Sequence, residues 1–590
     1  MNIILYHLPK KIEFFWVWAS KFGINVKYYK YFGNKKNYLR NNNVTQIELD
    51  SIPYISQLRP SLIAMDSKID LIYNNIIDTK ILDLICNALD NIKNSRKKAE
   101  IIFRNYIGEH LFRADPINVY VTSLEGDKKY YLLIGWKDLF LPGVLRPNIY
   151  QILNPIIFFN IYFFIKGVLG KFIKKRRENL TSRARDNPAL EVCYLVHDSL
   201  NYGGLYEKTI YYEDDKLSRF SKENIIHFDY SGCPSPDKNL NWINLSNLGF
   251  NSKLKVIAAV MVNLLLRKNI KLLYFSHSLI ASYTLYKKQL KAYDGLKIAL
   301  IDYDVLCPKS ILLALESLKI KTIAIQERFM MPYLLHHGTF LNCYLVASNF
   351  ILKKILHSKN YYVDEIYAVG QYKSDWLVEG RSAPPVPLIA HYVEGKNKIV
   401  IALGFHVEKS GQLEKTSSIL NWRSQKEFIN DIISLAVNFP DVFFILRFKE
   451  LDWLSNDFFK DVLLKIDSLS NICISDEYAN DGYSYKLCAY ADAIIAKYTS
   501  LADECLCKDI PVIFHEYSHN YSGLISEFTD LFPKEIMAYN YLELKNKLEQ
   551  VLNKAEFFHR QKKSGDLEKI YSTSSSGNIK LSIKKYLEKL

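Results

Sequence analysis

The chain has 590 residues, 49% of them hydrophobic and 24% charged, a composition ordinary for a folded protein that excludes a disordered, collagen-like or multi-spanning membrane chain. At about 150 residues per domain the length suggests three or four domains, or two large α/β halves with additions. The 77 Lys and Arg against 62 Asp and Glu leave a net charge of +15, which suits nucleotides, phospholipid head groups or nucleic acid without choosing among them.

The nine cysteines are scattered, mostly inside apolar runs, and odd in number, which points to a reducing compartment rather than a disulfide framework. The opening MNIILYHLPKKIEFF has a short apolar stretch followed by two lysines and a glutamate. It lacks a signal-peptide core and a small-residue cleavage site, so the expected address is the cytoplasm.

Residues 1–185 are expected to form an α/β extension. A strand spans Asn2 to Tyr6, helical periodicity runs from Ile69 to Phe112, and INVYVTSLEGDKKYYLLIGW resembles a hairpin turning at Gly126 and Asp127 between two aromatic, β-branched runs. Residues 147–165 (PNIYQILNPIIFFNIYFFI) then carry no charge for 19 positions and are followed by Lys166, Lys171 and the cluster Lys174, Lys175, Arg176 and Arg177. That is nearly one membrane span, weakened by Asn154, Pro155 and Asn160. A buried or interfacial helix, a peripheral contact of 147–177 with an anionic membrane, and a true span remain alternatives.

From about Ala189 short apolar strands alternate with helices: VCYLVH, IIHFDY, a helix around Leu254 to Arg267, KLLYFSH, a helix, LKIALIDYD, a helix around Ser310 to Leu318, KTIAIQ and NCYLVAS. Such alternation implies right-handed crossovers and a parallel sheet. Residues 186–381 are therefore read as one Rossmann-like domain. SAPPVP, Ser382 to Pro387, is too proline-rich for a helix interior and opens a linker over 382–395. The rhythm restarts over 396–535 with NKIVIALGFH, a helix from about Ser424, VFFILRFKE, NICISDE, a helix around Ser484, DAIIAKYTS and PVIFHE. A charged helical tail occupies 536–590. The expected fold is α/β, two doubly wound Rossmann-like domains facing a cleft.

Ligands of open parallel sheets sit outside the carboxyl ends of the strands, which makes polar residues just after apolar runs the informative ones. In the first half these are His277 after KLLYFS, Asp302 and Asp304 after KIALI, and Glu327 beside Arg328 after KTIAI. An imidazole and carboxylates at neighbouring strand ends suit acid/base or nucleophilic catalysis. The plain alternative is that Asp302 and Asp304 cap a turn while Glu327 pairs with Arg328. In the second half the strand ends carry Gly404 and His406, then Arg447 and Lys449, then Lys497, Thr499 and Ser500. Thr499 and Ser500 open a helix after a buried strand, so its N–H groups, two hydroxyls and Lys497 suit a pyrophosphate. Glu504, one turn on, is placed to accept the two hydrogens of a ribose diol. An ordinary N-cap completed by Asp503 or Glu504 is the alternative.

The stretch ADAIIAKYTSLADECLCKDIPVIFHE resembles the donor-binding end of GT-B glycosyltransferases and their relatives, among them CDP-glycerol glycerophosphotransferases, nucleotide-sugar 2-epimerases and bacterial capsule enzymes. IALIDYDVLCPKSILLALESLKIKTIAIQERF and the segment ending in VGQYKSDWL are similar to the first-domain end of such surface-carbohydrate enzymes. The resemblance covers roughly residues 190–535 and implies a nucleotide-sugar donor on Thr499, Ser500 and Glu504, with the acceptor, a glycan or lipid-linked group, facing the first half. Arg447 and Lys449 are the cations assigned to the leaving phosphate, with His406 in the same donor-side set and next in line as a base. No cofactor and no essential metal are expected, although Asp302-Tyr303-Asp304 matches a DxD metal motif in letters. The reading is a glycosyltransferase of bacterial surface polysaccharide, with a polyol-phosphate transferase, a 2-epimerase and a noncatalytic basic membrane-associated protein as alternatives.

Other constellations fail. Cys505, Cys507, His515 and His519 have zinc-ligand types, but two residues apart on a helix point about 200° from each other. His336, His337 and Gly338 suit a helix end. No P-loop or G-x-G-x-x-G occurs, against a kinase, an ATPase or a classical dehydrogenase. Dispersed lysines without an aromatic-basic strand argue against nucleic acid.

Overall fold

The computed structural model describes residues 1–5, 18, 20–28, 44–46, 62–89, 91–123, 128–134, 139–153, 190–196, 218–230, 235, 240–245, 247–264, 269–302, 304, 306–327, 338–404, 422–448, 451–476, 482–497, 499–517, 536–553, 570 and 579–589. The described strands form parallel sheets throughout, and the fold is α/β.

The first sheet joins β1 (Asn2–Leu5), β2 (Asn25–Tyr28), β3 (Val44–Gln46), β4 (Tyr130–Ile134) and β5 (Ile149–Leu153) in the order β3-β2-β1-β4-β5. Helices α1 (Leu62–Ile76), α2 (Thr79–Ala88) and α3 (Ser95–Ser123) lie between β3 and β4. Asp78 caps α2, its carboxylate accepting from the Ile81 N–H at 2.7 Å, which supplies one of the donors a helix start leaves unpaired.

The hairpin expected around Gly126 does not form. INVYVTS continues α3 through Pro116, with Ile107, Leu111, Ala114, Ile117 and Val121 buried at spacings of three and four that suit a helix face. YYLLI alone is a strand, and it pairs in parallel with β1 and β5. Gly126 and Asp127 lie outside the described residues. The uncharged run from 147 begins as β5, while 154–165 and the basic cluster at 174–177 lie outside them. No helix among the described residues is long and apolar enough to cross a membrane.

The second sheet contains β6 (Val192–Val196), β7 (Ile225–Asp229), β8 (Asn241–Asn244), β9 (Ile298–Ile301), β10 (Lys321–Ile325), β11 (Phe340–Val346) and β12 (Tyr362–Ala368), in the order β12-β11-β10-β9-β6-β7-β8. Its helices are α4 (Phe250–Leu264), α5 (Ile270–Leu290), α6 (Lys309–Ser317), α7 (Asn349–His357), α8 (Asp375–Ser382) and α9 (Pro387–Glu394). KLLYFSH, expected as a strand, is part of α5. Asn269 caps this helix by accepting from the Leu272 N–H at 3.2 Å, and Leu272, Ser276, Tyr283, Tyr286 and Leu290 bury one face. A four-residue apolar run alone does not separate a strand from a buried helix segment. Within 382–395, α9 starts at Pro387, where a missing N–H and a fixed φ suit the first helical position.

The third sheet holds β13 (Lys398–Leu403), β14 (Val442–Arg447), β15 (Ile472–Ser475), β16 (Ala493–Ala496), β17 (Val512–His515) and β18 (Met537–Ala538), ordered β15-β14-β13-β16-β17-β18. Its helices are α10 (Trp422–Asn438), α11 (Lys460–Asp467), α12 (Tyr483–Ala489), α13 (Ser500–Cys507) and α14 (Tyr541–Asn553), and α15 (Ile579–Leu587) follows. Phe428, Ile429, Ile432, Leu435 and Ala436 of α10 pack with Val400, Ala402, Phe444 and Leu446. Helices on both faces explain why the central strands read as unbroken apolar runs.

The N-terminal unit meets the second-sheet unit along α3 and at α5, where Tyr106 stacks on Phe275 with centroids 3.9 Å apart and Lys271 Nζ donates to the Leu139 carbonyl. Lys98 pairs with Glu316, Asn94 donates to the Tyr362 hydroxyl at 2.5 Å, and Asn105 donates to the Gly338 carbonyl at 2.5 Å. Gly338 and Tyr362 lie at the beginnings of β11 and β12, so this part of the contact is at the edge opposite the strand carboxyl ends.

Candidate active site

Each of the last two sheets reverses its strand order once, between β6 and β9 and between β13 and β16. Such switch points open the crevices in which doubly wound sheets bind ligands. Asp302 follows β9 directly at the first of them. Its Oδ1 accepts from the Tyr194 hydroxyl of β6 at 2.8 Å, and its N–H donates to Leu195 at 3.1 Å, so it spans the strands that flank the crevice. Asp302 is half-buried.

Asp304 is fully buried and accepts from the Tyr344 hydroxyl at 2.5 Å and the Glu327 N–H at 3.3 Å. It thereby ties together the carboxyl ends of β9, β10 and β11. Glu327 receives the Tyr372 hydroxyl at 3.0 Å and forms a buried ion pair with Lys373. His277 is not at a strand end: it sits half-buried inside α5, because the run before it is helical. The expected first-half cluster thus reduces to three carboxylates.

At the second switch point β13 is followed by Gly404, whose added Cβ would stand 1.9 Å from the buried Phe448 ring. Across from it, β16 leads into Lys497, Thr499 and Ser500. Thr499 has the extended backbone of an N-cap (φ −133°, ψ 138°), yet its side chain makes no capping bond. Thr499 and Ser500 are half-buried and belong to the turn where α13 presents its positive end.

Lys497 is buried, and its position differs from a simple phosphate cradle. Burial draws it down to about 8, against the pull of Glu427, Glu516 and Asp431, so its ammonium already lies among three carboxylates. Asp431 also meets His515 Nε2 at 2.9 Å, and burial holds that imidazole down at about 4. Arg447 is buried as well, its Nε donating to Ser484 at 3.1 Å and a terminal nitrogen to the Ser475 carbonyl and hydroxyl at 3.3 Å each. It ties β14 to β15 and α12. His406 and Lys449 lie outside the described residues.

Glu504 departs most from expectation. It is 1% exposed rather than open at the mouth of the crevice. Its carboxylate accepts from the Tyr485 hydroxyl at 2.5 Å and from Gln371 at 3.4 Å. Burial raises it to about 7; Lys373, Tyr485 and Gln371 act in the opposite sense, and Glu327 adds to the rise. Its face of α13 is turned toward the segment between β12 and α8, not toward a solvent-filled crevice.

That segment, Gln371 to Asp375, carries contacts the sequence reading did not assign. Gln371 reaches Glu504, Tyr372 and Lys373 reach Glu327, and Asp375 accepts from Lys508 Nζ at 2.8 Å. The other Asp375 oxygen accepts from the backbone N–H groups of Ile579 and Lys580 at 3.0 and 3.2 Å, capping α15. The signal was present in GQYKSD, a polar run following β12, but its partners lie from 45 to 205 residues away along the chain. Among the described residues no group of three His, Cys, Asp or Glu is arranged to hold a metal ion.

No family model and no curated protein matches the chain. Solved structures similar to it include a UDP-GlcNAc 2-epimerase from Neisseria meningitidis bound to UDP-GlcNAc, with 13% identity, covering 68% of this chain and 100% of that one, at a TM-score of 0.41. A trehalose 6-phosphate synthase from Burkholderia multivorans has 13% identity, covers 68% and 98%, and gives 0.37. The wall teichoic acid polymerase TagF has 11% identity, covers 73% and 97%, and gives 0.39. At these scores the functional reading rests on the geometry of the chain itself.

Proposed function

We propose that the protein is a glycosyltransferase that moves a sugar from a nucleotide-activated donor to a surface-polysaccharide or lipid-linked acceptor. The observation that carries this reading is the pairing of two switch points: carboxylates stand at one, and two hydroxyls at a helix start stand at the other. Thr499, Ser500 and the first N–H groups of α13 take the donor pyrophosphate, where helix polarity favours accumulating negative charge. The acceptor hydroxyl lies toward the first sheet of the pair. Its oxygen attacks the anomeric carbon, the bond to the nucleoside diphosphate breaks, and Asp302 accepts the hydroxyl proton. Asp302 is preferred because it is half-buried, whereas Asp304 is fully enclosed and Glu327 is engaged by Lys373 and Tyr372. Lys497 and Arg447 hold the donor side in shape through their carboxylate and serine partners. Metal independence belongs to the proposal and is checked by turnover in the presence of a chelator.

The test is a thermal-shift panel of UDP-, CMP-, CDP- and GDP-sugars. A ligand at 100 times its dissociation constant adds about 2.7 kcal/mol of stability, so at least one nucleotide is expected to raise the midpoint. A panel with no shift, at concentrations suited to millimolar affinity, removes the reading.

A further inference from the structure

We propose that the N-terminal edge of the first sheet seats on an anionic lipid bilayer. Along this edge the strands begin side by side: Asn2 is in register with Asn25 and with Tyr130, and Tyr130 with Ile149. The residues at and just before these positions are unusually apolar for a surface. Met1 is 61% exposed, Trp18 54%, Phe22 68% and Tyr150 43%. The Trp18 and Phe22 rings pack against each other with centroids 4.7 Å apart, so they form one aromatic projection rather than two scattered side chains.

Among the described residues the charged groups at these strand beginnings are basic, while Glu125 and Asp127, just before Lys128 in the chain, lie outside the described residues. Lys21 stands beside Phe22, Lys128 and Lys129 precede β4, and Arg146 precedes β5, all of them exposed. Lys129 also lies over the Tyr150 ring, 5.8 Å from its centroid. Aromatic groups favour the head-group level of a bilayer, and lysine and arginine beside them complement anionic lipid. An aromatic projection flanked by lysine and arginine fits the head-group level of an anionic bilayer, and an acidic protein partner is an outcome of the test below.

Asn94, just before α3, and Lys98, Asn105 and Tyr106, in its first half, contact the second-sheet unit, whereas Asn118, near the end of α3, donates to the Val144 carbonyl at 2.9 Å and accepts from the Arg146 N–H at 3.0 Å. Through Tyr150 the edge adjoins the start of the 147–177 segment weighed in the sequence, and the bilayer contact is independent of the glycosyl-transfer reading.

The test is co-sedimentation of the full chain with vesicles of phosphatidylcholine alone and of phosphatidylcholine mixed with phosphatidylglycerol, at low and physiological salt. The parent is expected to bind the anionic vesicles, less well as salt rises. Lys21→Glu with Lys128→Glu and Lys129→Glu should weaken binding roughly 100-fold, and Trp18→Ala with Phe22→Ala roughly 10-fold. The substituted side chains are exposed, so unchanged melting temperatures and nucleotide shifts verify the fold. A parent that ignores anionic vesicles at low salt overturns the proposal, as does a parent that binds nucleic acid or acidic protein but not vesicles. Two folded variants that bind like the parent also overturn it, because the contact then belongs to another surface.

Discussion

The Tyr485 phenol donates to the Glu504 carboxylate across 2.5 Å, placing a hydrogen bond from α12 at the point where α13 faces the Gln371–Asp375 segment. Lys373 in that segment pairs with Glu327 and also acts on Glu504. Carboxylates from two sheets therefore share the field of one ammonium. This is the joint between the second and third sheets, and it accounts for the burial of a residue expected at an open crevice.

The joint makes stability depend on pH. Glu504 is raised from 4.5 to about 7, so between those values the folded chain retains a proton that the unfolded chain has released. Stability contributed by this proton is present at acid pH and declines as pH rises through the window. Glu504→Gln should remove that decline, amounting to about 3 kcal/mol at most. Urea unfolding of parent and variant at acid and at mildly alkaline pH checks it; parallel pH dependences contradict the assignment.

Removing Lys373 should cost more than removing an exposed lysine. Lys373→Met leaves the Glu327 carboxylate enclosed without its cation, a loss of about 3 kcal/mol. Adding Glu327→Gln should restore much of that loss because the uncompensated charge is gone. Equilibrium unfolding midpoints of the two proteins decide the matter, and equal midpoints would show that Lys373 stabilises through something other than this pair.

Gly404→Ala is expected to destabilise the chain by about 1–3 kcal/mol, the range for overpacking a close-packed site. The new methyl meets the Phe448 ring, which is itself held against Trp453 with centroids 4.9 Å apart. Phe448→Leu introduced beside it should recover part of the loss. Thermal melting of the single and double variants is the check.

The central strands were legible because VCYLV, IALI, KTIAI, VFFILR and AIIA are buried on both faces, and strands so placed read as near-continuous apolar runs. Asp302, Lys497, Thr499 and Ser500 were placed at strand ends for the same reason, as polar groups within a few residues of those runs. KLLYF misled because its helical repeat emerges only when Tyr283, Tyr286 and Leu290 are read with it. INVYVTS misled because its β-branched residues suit a strand locally, while the spacing from Ile107 onward is helical. β12 went unread: YVDEIYA is an edge strand of mixed polarity, without the apolar run that marked the others. The burial of Glu504 depends on Gln371, Lys373 and Tyr485, whose convergence is a property of the tertiary fold and not of any local pattern.

Asp302→Asn is expected to lower turnover by about 100-fold or more while donor affinity stays nearly unchanged, because the carboxylate acts on the acceptor hydroxyl rather than on the nucleotide. Asp304→Asn should act mainly through stability, since its carboxylate joins three strand ends. Steady-state kinetics together with melting curves separate the two. Full turnover in folded Asp302→Asn moves the base elsewhere.

The central claim is that a nucleotide-activated donor sits at the start of α13. Calorimetric titration of the strongest nucleotide ligand from the panel into the parent and into Thr499→Ala with Ser500→Ala tests it most directly. The account predicts saturable binding to the parent, weakened in the variant by roughly 1.5–3 kcal/mol for the lost hydrogen bonds to a charged group, with an unchanged melting temperature in the absence of ligand. Equal affinity in the folded variant would contradict it.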